Sequence, residues 1–242
     1  MRVARRVTVL TAALLFGCQV VLGASSDKVD IRTRIQHLYS SDRAVAKEAE
    51  NDLIGQRVAL THELIEGIEK HQAELREIDD PIRARDILRG IDASVNVLGE
   101  MRSVEAVPIL AAMIGFPRVI PEDIPAGLHR AWGAYNGSLI MSVRLIETWE
   151  DDIGRYSAAS ALVKIGEPCI PAVIEQLMGY QTIHPCLLVL VGLRGAEGTE
   201  ALLTQLLEET ADEKKKARYA ITLEYLRKGM VKVPESNDVS GQ

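Results

Sequence analysis

From about Asp30 onward the apolar residues recur at intervals of three and four, the spacing that places them on one face of an α-helix. Ala49, Leu53 and Ile54 lie on one such helix, and Leu60, Leu64, Ile65 and Ile68 on the next. Ile87 to Leu98 forms another, with Gly99 read as its stop, and Val104 to Ile114 comes after it, carrying Val107-Pro108-Ile109-Leu110. Arg155 to Ile165 closes on Gly166 and is followed by Ile170 to Met178. Cys186 to Val191, with Gly192 read as the stop, precedes Gly198 to Leu207, and Glu213 to Lys228 reads as a final helix that caps the series. Three units thus align on a glycine stop and an apolar second helix. The pattern predicts an all-α chain.

One stretch breaks the rhythm. Between Gly115 and Gly137 come Pro117, Pro121 and Pro125, then His129, Trp132 and Tyr135, too much proline for a regular helix before about Ala126. Ser138 to Trp149 resumes a helical spacing. Long irregular connections within compact chains are often functional. This one is a candidate binding segment, with Phe116, Arg118, His129, Arg130, Trp132 and Tyr135 as its contact residues; the structural alternative is a diverged repeat wrapping its own core with Trp132.

The unit from Arg155 to Met178 is the most informative. Ala158, Ala159 and Ala161 allow a neighbouring helix to come close, Gly166 suits a positive-φ helix end, and Pro168 and Pro171 suit the first turn of the next helix. A small-residue helix closing on Ile165-Gly166-Glu167-Pro168, then Ile170-Pro171-Ala172-Val173-Ile174, closely resembles a HEAT repeat of the secreted bacterial type. The resemblance is strongest over 155–178 and extends across roughly 40–228. It implies a right-handed α-solenoid of about four to five helix pairs over 41–228, with 25–40 as a linker or first helix, the irregular segment at 115–137, and 229–242 as a disordered tail.

The N-terminus reads as an address. Arg2, Arg5 and Arg6 precede an apolar run from Val7 to Leu22, and Gly23-Ala24-Ser25-Ser26 comes before the first acid, Asp27. This is the three-part pattern of a secretory signal over 1–24, cut after Gly23 or Ala24; the apolar run is short of the roughly 20 residues a membrane span needs. Leu15-Phe16-Gly17-Cys18 offers the alternative of a lipid anchor on Cys18, although Phe16 fits that motif poorly. Arg5-Arg6 followed by Val7-Thr8-Val9 is a weak match to a twin-arginine signal. The expected location is periplasmic or extracellular, with no membrane span in the mature chain.

Composition supports close-packed helices. Apolar residues make up 47% of the chain and aromatics only 4%, so Ala, Leu, Ile and Val must build the core. Two Phe and two Trp suit a sandwich or barrel poorly. The net charge is −6, and loss of the N-terminal arginines makes the remainder more acidic. Without a basic stripe, nucleic acid is not an expected partner. Lys214-Lys215-Lys216 and Arg218 follow Glu208, Glu209, Asp212 and Glu213, so they read as a solvated helix face. Cys169 and Cys186 are either a disulfide in an oxidising compartment or two small buried residues at helix contacts.

No catalytic or metal-binding constellation emerges, and no cofactor is implied. His62-Glu63-Leu64-Ile65-Glu66 misses the zinc signature by one residue, and His71 lies nine positions on, so a solvated helix face explains the same residues. His37, His129 and His184 are isolated. Gly137-Ser138 lacks the partners of a nucleophile elbow. Gly192-Leu193-Arg194-Gly195-Ala196-Glu197-Gly198 lacks the Lys-Ser/Thr of a phosphate loop and reads as a helix–helix turn. Asn136-Gly137-Ser138 matches a glycosylation acceptor. The reading is a non-catalytic scaffold for another protein or peptide; the alternatives are a structural envelope spacer, or an enzyme accessory like the HEAT-like lyases.

Overall fold

The computed structural model describes residues 31–55, 60–116, 118, 148–179 and 181–234. Among these the chain is helical throughout, with no strand. α1 covers 31–38, α2 Arg43–Gly55, α3 Thr61–Glu77 and α4 Pro81–Glu100. α5 (Val107–Ala112), α6 (Trp149–Ile153), α7 (Ser157–Ile165) and α8 (Ile170–Gln176) come next. α9 (Ile183–Glu209) breaks at Gly195, and α10 covers Glu213–Arg227.

Local chemistry sets the helix starts. Asp80 accepts a hydrogen bond from the Ile82 amide, and Pro81 occupies the first turn of α4, where no intrahelical donor is missed. Thr148 and Asp151 form a reciprocal capping box on α6. Asp212 accepts from the amides of Lys214 and Lys215 at the start of α10.

Two parts of the chain repeat the same local design. A single 3-10 turn, Val104–Ala106, runs into α5, and another, Glu167–Cys169, runs into α8; each of these two helices carries proline in its first turn. Ala106 and Cys169 are equally enclosed, as are Leu110 and Val173, and Ile114 and Leu177. Fully burying a side chain such as Leu110 contributes about 1.5–3 kcal/mol.

Helix pairings follow chain order. α2 packs on α4, α4 on α7 and α7 on α9; α5 packs on α8 and α8 on α9; α3 packs on α4, and α10 on α9. Their buried faces join in one core that runs from Ile35 to Val231. α2 contributes Ala49 and Leu53, and Leu60, Leu64 and Ile68 come from the cap and body of α3, with Ile54 and Ile65 packed partly buried against the core.

The glycine stops need correction at two of three positions. Gly166 does end α7, at φ 95° and ψ −160°, a region essentially reserved for glycine. Gly99 instead lies inside α4: a Cβ there would come within 2.8 Å of both Cα and Cβ of Ala161 on α7. Its missing side chain is what lets the two helices touch. The positive φ after α4 belongs to Arg102, at 53°. Gly192 likewise lies within α9, beneath the indole of Trp149, and the helix breaks at Gly195, where φ is 69°. Trp149, read as the end of an apolar helix, opens α6. Val231 is buried, so the chain stays packed into the stretch read as a tail.

Candidate interaction surface

Asp92, Asn96 and Glu100 recur every fourth residue along α4 and share one face. α2 brings Lys47 and Glu50 beside it, and α7 brings Ser157 and Lys164. Glu50, nearly buried, is held by Lys47 Nζ at 2.7 Å and by the Asn96 amide. Asn96 Oδ1 accepts from Lys164 Nζ at 3.1 Å, and the same ammonium reaches Glu100 Oε1 at 2.6 Å. The Ser157 hydroxyl donates to Asp92, which also takes Arg118 Nε at 3.1 Å. Exposed ion pairs are worth about 0–1 kcal/mol each, so this row fixes the register of α2, α4 and α7 more than it stabilises them.

A second polar contact fastens α6 to α9. The Asp152 carboxylate is buried, and His184 Nε2 lies 3.0 Å from its Oδ1. Tyr156 tilts against the imidazole with ring centres 6.1 Å apart. Burial first, then the Asp152 charge, raises the Tyr156 phenol above its ordinary pKa. Trp149 completes the attachment: its Nε1 donates to the Leu188 carbonyl at 3.1 Å while the ring covers Gly192. An Asp–His pair resembles the orienting half of a catalytic triad, but among the described residues no hydroxyl or thiol is hydrogen-bonded to His184.

The two cysteines are free and buried. Burial pushes the Cys169 thiol up to about 11 and the Cys186 thiol higher still. The thiolate is the reactive form, so neither sulfur is prepared for nucleophilic work near neutral pH.

Of the contact residues read from sequence, Phe116 packs partly buried against the core and Arg118 is exposed, paired with Asp92. The Arg118 amide also donates to the Arg155 carbonyl. His129, Arg130, Trp132 and Tyr135 lie outside the described residues, as do Asn136, Cys18 and the signal-like 1–24. His62 and Glu66 pair at 3.1 Å, both exposed, which is the solvated helix face. His37 is exposed too.

His71 has a role that its spacing from His62 does not suggest. It stacks on Tyr39 with ring centres 3.6 Å apart and planes within 7°, and its Nδ1 donates to the Gly67 carbonyl at 2.7 Å. The Tyr39 hydroxyl is 3.1 Å from Ser94 Oγ, and burial pushes its pKa up to about 12. Among the described residues no three His, Cys, Asp or Glu side chains are grouped to hold a metal ion, and no helix is long and apolar enough to cross a membrane.

The pairing partners Asp92, Ser157, Asp152 and His184 were not singled out as joint sites from sequence. Asp152 and His184 are 32 residues apart, and only the packing of α6 on α9 unites them. The periodic acids of α4 were the available signal for the other row. No family model, curated protein or solved structure matches the chain.

Proposed function

We propose that this chain is an exported, non-catalytic interaction scaffold, built as a HEAT-like α-solenoid of stacked helix pairs. The observation that carries the reading is the ordered packing: α2, α4, α7 and α9 succeed one another as neighbours, as do α5, α8 and α9. Stacks of this kind present an extended surface to a protein or peptide. The repeated 3-10 turn and proline-led helix at α5 and α8 support the same repeat. The chemistry supports binding over catalysis: His184, His71 and both thiols are engaged or enclosed in helix packing.

The segment after Phe116 is the first part of the proposed partner surface. Its entry is held by Arg118 on Asp92, and its exit by Thr148 and Trp149 on α6 and α9. Both ends are therefore tied to the helix framework.

The test is crosslinking of the full chain, signal retained, in its native envelope, with fractionation and N-terminal sequencing of the exported form. A discrete adduct crosslinked through 116–135 and a new N-terminus at residue 24 or 25 are expected. A monodisperse exported protein without adducts would favour the spacer alternative, and retention inside the cell would refute export. Purified protein carrying a stoichiometric metal or a chromophore would refute the non-catalytic reading in favour of the lyase-like one.

A further inference from the structure

Ile82, Arg85 and Arg89 succeed one another at three and four residues along α4 and therefore share a face at the start of that helix. Arg89 is committed within the fold: its Nη2 donates to the Ser40 carbonyl and to Asp86 Oδ1, each at 2.8 Å. Arg85 is not. Among the described residues it is the partly buried arginine with neither a hydrogen bond nor an ion pair; Arg32, Arg76 and Arg102 also lack one but stand exposed in water.

The burial of Arg85 is uneven. Its Nε is enclosed without an acceptor, while the residue as a whole keeps partial access to solvent. The guanidinium is thus partly enclosed and unpaired. A guanidinium fixed in this way has already lost much of the side-chain freedom that binding would otherwise remove, and its paired Nη groups match both oxygens of a carboxylate. The neighbouring acids do not occupy it: Asp80 caps the helix through the Ile82 amide at 2.9 Å, and Asp86 is held by Arg89. Ile82 is the most exposed large hydrophobic residue among those described, at 60%. An uncommitted guanidinium and an exposed aliphatic side chain stand three residues apart on one face of α4.

We infer that the start of α4 receives an acidic segment of the partner protein, a carboxylate on the Arg85 fork and an aliphatic side chain against Ile82. This rests on the scaffold reading and adds the chemistry of the recognised segment. Charge complementarity selects the carboxylate; Ile82 selects a peptide over a free anion.

The test is calorimetric titration of the full exported chain at low salt with a capped peptide of alternating Leu and Glu, its Leu and Gln counterpart, and succinate. The Glu peptide is expected to bind at least tenfold more tightly than either of the others. Arg85→Gln should weaken it about tenfold or more, Arg85→Lys severalfold because the fork is lost while the charge stays, and Ile82→Asn about threefold. Circular dichroism checks each fold, and Arg85→Lys decides if Arg85→Gln does not fold. Equal binding by wild type and both Arg85 variants overturns the site, and succinate binding as tightly as the peptide overturns the peptide as occupant. If the peptide fails while crosslinked adducts form through other surfaces, this inference falls and the scaffold stands; if no adduct forms anywhere, the scaffold reading itself falls.

Discussion

Replacing Gly99 with alanine tests the contact between α4 and α7 directly. Gly99 lies within α4, so on helix propensity alone the change should stabilise the chain by about 1 kcal/mol. The new methyl, however, would stand 2.8 Å from Ala161 Cα and Cβ. These atoms belong to the backbone of α7 and to its shortest branch, so no rotamer change can clear them. Relief requires the helices to separate along a contact that also aligns Asn96 with Lys164. Overpacking of this sort costs typically 1–3 kcal/mol, which leaves a net loss of up to about 2 kcal/mol after the propensity gain. Gly67→Ala is the control, also within a helix, where the added methyl meets Tyr39 and Ile35 at ordinary contact distances of 3.5 and 3.6 Å. There the propensity gain of about 0.5–1 kcal/mol should survive. Urea titration followed by circular dichroism at the helix band should move the two midpoints in opposite directions, Gly99→Ala down and Gly67→Ala up. A Gly99→Ala midpoint raised as far as that of Gly67→Ala would refute the close approach of α4 and α7.

Trp149→Phe keeps a ring over Gly192 but removes the donor to the Leu188 carbonyl, so unfolding should become easier by about 1 kcal/mol, read from the same urea titration. Ellman titration should find Cys169 and Cys186 slow to react in the native protein and both reactive in urea without reductant; a titre of zero in urea would instead reveal a bridge. His71 gives a pH dependence. Burial is the main cause that lowers its folded pKa, so its contribution is fully present above the unfolded value near 6.5 and is lost as pH falls below it, because the unfolded chain takes up the proton first. The urea midpoint should therefore decline from pH 7 to pH 5, and His71→Phe, which keeps the stack on Tyr39, should decline less steeply.

Periodicity carried the fold class because helical burial is written every three or four residues: Leu64 and Ile68, or Leu110 and Ile114, are spaced as they must be to face one core. Element ends were equally legible where the signal is local, as with Asp212 before α10 or Pro171 in α8. The candidate surface was legible only in part. Arg118 appeared as an exposed residue in an irregular stretch, but its hold on Asp92 depends on two segments 26 residues apart being packed together. Arg85 carried no signal at all, since one arginine on an amphipathic helix looks like any other until its neighbours are shown to be engaged elsewhere.

Glycine exposes the physical reason for these failures. A glycine after an apolar run has two explanations, a backbone conformation closed to other residues or a surface that another element must touch, and both produce the same letter. Gly166 is the first kind and stops α7; Gly99 and Gly192 are the second and lie within their helices. The local explanation can be argued from the chain alone, whereas the contact explanation requires the partner: Ala161 for Gly99, Trp149 for Gly192. The two contact glycines lie where α7 meets α4 and where α6 meets α9, next to the polar attachments of Asp92 and Asp152. Close backbone approach and polar fastening therefore act at the same seams, and it is these seams that tie down both ends of the segment between Arg118 and Thr148.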